Sequence, residues 1–219
     1  MNKIIVAIDG PAGTGKSTTA KILAKKLGVL YIDSGAMYRC ITFLVLKNNV
    51  DVNDVEKIIS LAKDAKIELS DEKVVLNGVD VSKDIRTLEV TNKVSTISKI
   101  KEVRKILVDK QREYANENSV IMDGRDIGTV VFPNADFKFF LICDLKTRAI
   151  RRQQDFLDLG QKISLEKIIM EIKKRDDIDS KRAESPLRKA KDAIEVDTTN
   201  MIIEEQVDFL FKKITNTET

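Results

Sequence analysis

The 219-residue chain is long enough for one large α/β domain or a domain with an insertion, and its 42% hydrophobic content suffices for a core. Its 38 basic and 35 acidic residues leave a net charge of only +3, which excludes the basic excess of a general nucleic-acid binder. The sequence contains no histidine, so histidine acid–base chemistry and histidine metal sites are excluded.

Short apolar runs along the chain predict β-strands. Most of them are continuously apolar rather than alternating, which is typical of strands covered on both faces. Helical patterns lie between them, and this alternation predicts a parallel, doubly wound sheet. The runs are "IIVAID" (4–9), "VLYID" (29–33), "SVIMD" (119–123), "FKFFLIC" (137–143) and "AIEVDTT" (193–199).

The first strand is followed directly by a glycine-rich stretch, "GPAGTGKST" at 10–18. Gly10, Gly15, Lys16 and Ser17 match the pattern G-x-x-x-x-G-K-[ST], in which backbone N–H groups and a helix N-terminus bind phosphates. Lys16 is expected to reach the β- and γ-phosphates, and the Ser17 hydroxyl to help hold Mg²⁺. A strand before the loop and a helix after it argue against a chance turn.

Three local signals set the boundaries of other elements. The helix that follows the loop should stop at Gly28, and a later helix should begin after Ser164, a plausible N-cap. Asn77-Gly78, between "VVL" and "VDV", predicts a two-residue hairpin within a small antiparallel insert at 66–82. The later helix carries one buried stripe formed by Leu165, Ile168, Ile169 and Ile172.

Polar residues follow two of the predicted strands, at the edge where α/β folds bind ligands. Ser34 and Arg39 follow the second strand, and Arg125 and Asp126 follow the third. Asp123 ends the third strand and is placed like the second acidic residue of phosphate-loop proteins, near the metal. The alternative is that Asp123 is an ordinary strand-end residue.

Arginine is scarce, with 11 residues against 27 lysines, so the positions of the arginines are informative. Arg148, Arg151 and Arg152 share one helical face. They form either a solvated basic face, with Asp144 and Asp155 relieving the repulsion, or part of a mobile lid that brings arginines onto a transferring phosphate.

Arg175, Asp179 and Arg182 lie at i, i+4 and i+7 of the later helix. This spacing fits either a salt-bridge ladder or a strip that grips a phosphate at one end and a sugar hydroxyl at the other. So many cationic groups near one phosphate loop indicate a second anion facing the first, as phosphoryl transfer between two nucleotides requires.

Other classes of nucleotide-binding protein have less support. A GTPase usually carries Asn-Lys-x-Asp, whereas the chain has Asn92-Lys93-Val94-Ser95. A kinase of another small acceptor and a non-catalytic nucleotide-dependent switch remain as alternatives.

Over nearly its whole length the chain resembles the bacterial cytidylate kinases, a branch of the nucleoside monophosphate kinases. The resemblance implies a three-layer P-loop kinase fold with a five-stranded parallel sheet, a small antiparallel β insert and an α-helical lid. It divides a single domain into a core (1–33, 108–147 and 183–219), a monophosphate-binding subdomain (34–107) and a lid (148–182). The shared stretches are "IDGPAGTGKST", "IDSGAMYR", "IRTLEV", "DGRDIGTVVFP", "EIKKRDDIDSKR", "SPL" and "EVDTT".

The resemblance also implies a reaction, from ATP and CMP or dCMP to ADP and CDP or dCDP with Mg²⁺, in pyrimidine metabolism. The residues implied for ATP are Gly10, Pro11, Ala12, Gly13, Thr14, Gly15, Lys16, Ser17, Thr18, Arg151 and Arg152, with Ser17 and Asp123 for Mg²⁺. Those implied for the acceptor are Ser34, Arg39, Arg125 and Arg182 at its phosphate, Ser95, Arg104 and Asp126 at cytosine, and Arg175 and Asp179 at the ribose. Catalysis is expected from Lys16, Arg125, Arg152 and Arg182.

Ser95 and Arg104 rest on the resemblance alone, because "KVSTISKIKEVRKIL" by itself predicts one ordinary amphipathic helix. Cys40 and Cys143 are expected to be buried free thiols. With no signal peptide and no apolar run of about 18 residues, we expect a soluble cytoplasmic monomer without nucleic-acid or membrane partners.

Overall fold

A parallel sheet forms the centre of the computed structural model, which describes residues 3–70, 73–158 and 160–215. Positions 71 and 72 of the predicted insert and 159 of the predicted lid therefore lie outside the described residues, as do 1, 2 and 216–219 at the predicted core's ends. The strands are β1 (Ile5–Asp9), β2 (Leu30–Asp33), β3 (Ile67–Leu69), β4 (Val74–Leu76), β5 (Val79–Asp80), β6 (Val120–Gly124), β7 (Phe137–Ile142) and β8 (Ile194–Asp197).

The sheet order is β2-β6-β1-β7-β8, and each neighbouring pair is parallel. All five runs predicted as core strands are confirmed, with ends that differ by at most two residues. The order places β1 in the middle, so the phosphate loop that follows it lies at the centre of the sheet's carboxyl edge.

Helices cover both faces of this sheet and make the fold three-layered. The helices are α1 (Lys16–Leu27), α2 (Ser34–Lys47), α3 (Val55–Asp64), α4 (Leu88–Ser98), α5 (Lys101–Tyr114), α6 (Leu145–Asp158), α7 (Leu165–Lys181) and α8 (Ile203–Thr215). Val6 and Ile8 of β1 pack with α1 and α8 on one face, and Ala7 packs with Val108 of α5 on the other. Burial on both faces explains why the strands read as continuously apolar.

The β insert is an antiparallel sheet in the order β3-β4-β5. Asn77 and Gly78 connect β4 to β5 with φ of 52° and 80°. Two consecutive left-handed residues are what a type I′ hairpin turn requires, so the predicted hairpin is confirmed.

Two helix boundaries follow the local signals in the sequence. α1 ends at Gly28, whose φ is 68°, and the Ser164 side chain accepts a hydrogen bond from the Lys167 amide at the start of α7. Ile168 and Ile172 of α7 pack against α6 in a small separate core. α6 and α7, which make up most of the predicted lid, therefore hold together through their own apolar contacts.

The prediction of a single helix over "KVSTISKIKEVRKIL" is wrong. α4 ends at Ser98 and α5 begins at Lys101, because Ile100 has the extended torsions φ −70° and ψ 117°. Because of this break, Val103 and Leu107 of α5 face the core formed by α2–α5. If α4 continued as one helix through this segment, these two side chains would not face that core. The predicted boundary between residues 107 and 108 falls inside α5.

Two further expectations concern the thiols and the membrane. Cys40 and Cys143 are free and buried, as predicted. Within the described ranges, no helix combines the length and the apolar composition that crossing a bilayer requires.

Candidate active site

The phosphate loop connects β1 to α1, and its three glycines all have a positive φ. Gly10, Gly13 and Gly15 have φ of 147°, 81° and 90°. A Cβ at Gly10 would lie 2.1 Å from the carbonyl oxygen of Leu141, so the loop begins pressed against β7. This packing requires glycine at position 10 on both torsional and steric grounds.

Lys16 begins α1 and is turned across the loop. Its Nζ donates to the carbonyl oxygen of Pro11 at 2.6 Å and to the Thr14 hydroxyl at 3.3 Å. Burial, and then the nearby Arg125 guanidinium, lower the pKa of Lys16 to about 7. A buried lysine among other cations is suited to a multivalent anion, which restores its charge.

Asp123 lies at the end of β6 beside this loop. Its carboxylate accepts hydrogen bonds from the Ser17 hydroxyl and from the Tyr31 hydroxyl, each at 2.8 Å. Burial, followed by the effect of Asp33, raises the pKa of Asp123 to about 6. The predicted pair Ser17 and Asp123 is thus brought together, whereas Tyr31 gave no signal in the sequence.

The phosphate loop opens into a cleft of about 410 Å³. Arg39, Arg125, Arg152 and Arg175 all line this cleft. Burial, and then Arg175 and Arg152, lower the pKa of Arg39 well below its ordinary value. Such crowding of guanidinium groups is unfavourable unless anions occupy the space between them. The loop residues that line the cleft are Ala12, Gly13, Gly15, Lys16, Ser17 and Thr18.

A second, smaller cavity of about 50 Å³ adjoins the cleft. It brings together eight of the nine residues predicted for the acceptor, and it also includes Tyr38. The ninth, Arg39, lies on the first cleft, where its Nη1 donates to the Thr91 hydroxyl at 2.9 Å. The eight are Ser34, Ser95, Arg104, Arg125, Asp126, Arg175, Asp179 and Arg182.

Two carboxylates organise the arginines of this cavity. Asp126 is ion-paired with Arg104 and lies 3.7 Å from Arg182 Nη2. Asp179 accepts from Arg125 Nε at 3.0 Å and lies 3.9 Å from Arg175 Nε. Each carboxylate therefore lies between two guanidiniums.

The simple ladder over Arg175, Asp179 and Arg182 does not form as the spacing suggested. Arg182 follows the last helical residue of α7, has an extended backbone (φ −61°, ψ 143°), and donates from Nε to the Ser185 carbonyl oxygen. The extended backbone turns its side chain toward Asp126, so Asp179 pairs with Arg125 and Arg175 instead.

Some polar atoms in the smaller cavity are buried yet make no hydrogen bond to any described residue. They are the Tyr38 hydroxyl, Arg104 Nε, Arg175 Nε and Arg182 Nη2. Buried polar groups are nearly always satisfied, so these atoms point to a polar ligand that completes the cavity.

The three arginines of α6 lie at i, i+3 and i+4 of one helix, as predicted, but they contact three different partners. Arg148 Nη1 contacts Asp176 at 2.6 Å, and Arg152 pairs with Asp155 at 3.3 Å. Asp144 accepts from the Thr147 amide, and this contact together with the nearby Arg148 charge lowers the pKa of Asp144. The helix therefore places each guanidinium in its own environment.

Arg151 donates to the carbonyl oxygens of Thr198 and Met201, at 2.8 and 3.1 Å, and is not among the described residues lining either cavity. The Thr198 hydroxyl donates to the Thr14 carbonyl oxygen. Arg151 thus reaches the phosphate loop through one intervening residue.

The two cavities share a wall. Gly35, Gly124, Arg125 and Arg175 line both of them. A group bound at the phosphate loop and a group bound in the smaller cavity would therefore face each other across two guanidiniums.

Comparison with known proteins identifies the family. The sequence profile described as cytidylate kinase matches residues 6–216. The chain belongs to the cytidylate kinase family. Cytidylate kinases of Clostridioides difficile (strain 630) and Fusobacterium nucleatum are 48% and 50% identical to it over 214 residues, which cover 98% of this chain and 99% and 98% of those relatives.

Membership of the cytidylate kinase family makes this chain a nucleoside monophosphate kinase, an enzyme with a small nucleotide substrate and ATP as phosphoryl donor. A solved structure of shikimate kinase from Bacteroides thetaiotaomicron matches with a TM-score of 0.51 and 14% identity, over 97% of this chain and 98% of that one. At this identity the likeness concerns the P-loop kinase fold alone.

Sequence reasoning missed Tyr31, Tyr38 and Thr91. Tyr38 stands four residues after Ser34 on α2, a spacing that places both on one helix face and could have revealed it. Thr91 accepts hydrogen bonds from both Arg39 and Arg152, which lie 52 and 61 residues away, and no local pattern announces this.

Proposed function

We propose that this protein transfers the γ-phosphoryl group of ATP to CMP or dCMP and releases ADP and CDP or dCDP, in pyrimidine nucleotide metabolism. The observation that carries the proposal is the shared wall of Arg125 and Arg175 between the phosphate-loop cleft and the smaller cavity. Phosphoryl transfer needs two polyanions held in line, and most of the catalysis lies in positioning them and neutralising their charge.

On the donor side, the glycine-rich loop and the start of α1 bind the phosphates of ATP. Lys16 exchanges its contacts with Pro11 and Thr14 for the β- and γ-phosphate oxygens. Its lowered pKa reflects a buried cation among arginines, and a bound triphosphate supplies the negative charge that favours the protonated form.

Ser17 and Asp123 fit a Mg²⁺ ion. They offer one hydroxyl and one carboxylate at the mouth of the cleft, and no group of three or more acidic or thiol ligands occurs in the part of the chain that the structure describes. Mg²⁺ is usually bound by one or two carboxylates with water and phosphate oxygens, so this small ligand set suits it. When bound, the ion neutralises charge on the transferring phosphoryl group. The Tyr31 hydroxyl orients the Asp123 carboxylate.

On the acceptor side, the cavity can read each part of the nucleotide. Ser34, Arg125 and Arg182 surround the phosphate, with Arg39 reaching it from the adjoining cleft, and Arg175 and Asp179 meet the ribose. Asp126, held by Arg104 and Arg182, accepts a hydrogen bond from the amino group that distinguishes cytosine from uracil, with Ser95 at the same end. A site built around that bond rejects uracil, because the carboxylate would be left facing a carbonyl oxygen.

The lid, proposed as residues 148–182, brings Arg152 to the reacting phosphate. Arg152 now lies over the Phe156 ring at 4.4 Å and donates to Thr91, so its guanidinium is already at the cleft. Closure of α6 and α7 also excludes water, which would otherwise accept the phosphoryl group. For the core and the monophosphate-binding subdomain, we propose the boundaries that the resemblance implied, with the one at 107 and 108 moved to the end of α5 so that the helix stays whole.

One chain supplies every residue proposed for both nucleotides, so we propose that the protein acts as a monomer. Because its substrates are ATP and a free nucleoside monophosphate, we place it in the cytoplasm.

The test is ADP release, coupled to a second enzyme, with CMP, dCMP, UMP and AMP as acceptors and with Mg²⁺ or a chelator. We expect CMP and dCMP to be phosphorylated, UMP and AMP to be poor acceptors, and chelation to stop turnover. The matched variant Lys16→Ala should lose about 100-fold or more in turnover while its melting temperature changes little.

The outcomes separate the alternatives. Turnover that prefers UMP or AMP would make the protein a kinase of another acceptor, and nucleotide binding without turnover would make it a switch. An active, folded Lys16→Ala variant would contradict the role of Lys16 at the phosphates.

A further inference from the structure

Asp9 is a buried acidic residue outside both cavities. It is the last residue of β1, its exposure is 4%, and it pairs in the sheet with Gly124 of β6 and Phe140 of β7. It directly precedes Gly10, the first residue of the phosphate loop.

Each oxygen of the Asp9 carboxylate accepts a hydrogen bond from a main-chain amide. Oδ1 accepts from the Ile127 amide at 2.8 Å and Oδ2 from the Gly128 amide at 2.7 Å. Ile127–Val131 forms a short π-helix, and Asp126 is the residue that precedes it. The first amides of a helix have no partner within it, so Asp9 caps this turn from a distant strand.

The capped turn follows directly after two residues of the acceptor cavity. Arg125 and Asp126 line that cavity and pair with Asp179 and Arg104. Rotation of the peptide at Ile127 would move both side chains, because they leave the backbone within two residues of it.

The fit around Asp9 is close, and both of its carboxylate oxygens act as hydrogen-bond acceptors. A Cβ at Gly128 would lie 3.4 Å from Asp9 Oδ2 and 3.2 Å from Lys138 Cδ. Burial raises the pKa of Asp9 to about 7, and the hydrogen bonds from the Gly128 and Ile127 amides partly oppose this increase. Of the nearby charges, Asp126 raises the pKa and Lys16 lowers it. Two N–H donors converge on this carboxylate, and hydrogen bonds to a charged acceptor are among the strong ones.

We propose that Asp9 is a positioning residue for the acceptor nucleotide, which fixes the amides of Ile127 and Gly128 and thereby aims Arg125 and Asp126. Because it also begins the phosphate loop, one residue sets the position of the acceptor-binding turn relative to the donor-binding loop. This inference rests on the proposed function for the identity of the acceptor, whereas the geometry it describes belongs to the protein without substrate.

The first experiment is Asp9→Asn, with KM and kcat measured separately for CMP, UMP and ATP. The amide offers one oxygen acceptor and turns an NH₂ group toward the other main-chain N–H. We expect kcat/KM for CMP to fall about 10- to 100-fold and the preference for CMP over UMP to shrink, with little change in KM for ATP.

The matched control is Asp136→Asn. Asp136 accepts a hydrogen bond from the Ile5 amide at 2.7 Å, at the opposite end of the same strand. The same chemical change then alters a carboxylate that binds β1 from the residue before β7, far from both cavities, so KM, kcat and the CMP preference should match those of the wild type. A loss of CMP preference in Asp136→Asn equal to that in Asp9→Asn would overturn the proposal, since any weakening of β1 would then suffice.

A double-variant cycle with Asp126→Asn tests whether Asp9 acts through that residue. If it does, Asp9→Asn should reduce the CMP preference much less in the Asp126→Asn background than in the wild type. Equal reductions in both backgrounds would refute the route through Asp126.

A measurement on the unaltered protein keeps the proposal testable if Asp9→Asn fails to fold. Without nucleotide, the Ile127 and Gly128 amides should exchange hydrogen as slowly as those of β6. Fast exchange contradicts the proposal whatever the activity. Slow exchange combined with failure to phosphorylate CMP would count against the proposed function and leave the anchoring by Asp9 supported.

Discussion

At the scale of single residues, the acceptor cavity is held by charges that depend on one another. Burial raises the pKa of Asp179, but Arg125, Arg175 and Arg182 outweigh it, so the net pKa lies below its ordinary value. Burial and Arg125 in turn lower the pKa of Arg175 to about 10. The carboxylate therefore stabilises the folded state by separating guanidiniums that would otherwise repel.

This arrangement predicts how Asp179→Asn changes stability with pH. At pH 7 the variant should lose about 3 kcal/mol of unfolding free energy, because two largely buried guanidiniums lose their counter-charge. A depressed folded-state pKa gives stability that is present above the unfolded pKa of about 3.9 and is lost as pH falls through the folded value. The difference from wild type should therefore persist from pH 7 to about 4 and shrink below it.

Denaturant unfolding across that pH range measures the effect. Asp177→Asn is the control, since Asp177 pairs with Lys181 at 2.6 Å on the exposed side of the same helix. That variant should differ little from wild type at any pH. A difference for Asp179→Asn that grows toward acid pH would be inconsistent with the paired carboxylate.

At the scale of elements, β1, the phosphate loop and α1 behave as one unit. The loop begins at Gly10, which is packed against β7. Helix α1 ends at Gly28, which also has a positive φ. The two glycines differ in surroundings: Gly10 meets the Leu141 backbone, whereas a Cβ at Gly28 would have no described atom within 4 Å.

We therefore predict contrasting effects for two glycine-to-alanine substitutions. Gly10→Ala should destabilise the protein by about 3 kcal/mol or abolish ATP binding, because the Leu141 carbonyl belongs to the sheet and cannot move aside. Gly28→Ala should cost about 1 kcal/mol, the strain of a left-handed alanine, and leave KM and kcat unchanged. Thermal melting and steady-state kinetics on both variants make the comparison. Equal effects would mean that torsional strain alone explains the glycine at position 10.

Elements with a local signal could be predicted from the sequence, and those set by distant contacts could not. Asn77-Gly78 and Ser164 carry their turn and cap within a few residues, and both appear where expected. The break between α4 and α5 has no such signal, because it is set by which side chains the α2–α5 core accepts. The same holds in the site: Asp9 and Ile127 are 118 residues apart in sequence, and only the sheet brings them together.

At the scale of the whole molecule, three apolar bodies meet at the nucleotide cavities. The sheet with its covering helices, the α2–α5 core and the α6–α7 core each have their own cluster of buried residues, with Tyr114 packed against the first two and Leu88 of α4 packed against the third. Polar contacts bridge them: Arg125 of the sheet edge to Asp179 of α7, and Thr91 of α4 to Arg152 of α6. Nucleotides that bind these bridging residues should hold the bodies together.

This organisation predicts a selective thermal shift. CMP at 100 times its Kd should raise the melting temperature by about 5–10 °C, whereas UMP at the same concentration should raise it much less. Lys16→Ala should keep the CMP shift and lose most of the shift caused by a non-hydrolysable ATP analogue, because Lys16 serves the donor cleft. Equal shifts with CMP and UMP would argue against cytosine recognition in the smaller cavity.

The placement of the tyrosines gives the protein a built-in optical reporter. The chain has three tyrosines and no tryptophan. The Tyr31 phenol donates to Asp123 and the Tyr38 ring lies under Arg104, while the Tyr114 hydroxyl donates to Ile67 in the β insert. The tyrosine fluorescence of the unlabelled enzyme therefore comes from Tyr31 at the donor cleft, Tyr38 at the acceptor cavity and Tyr114, which lies away from both and serves as a reference. Tyr31→Phe and Tyr38→Phe, which remove the phenols one at a time, would assign each change in emission to the filling of one nucleotide site.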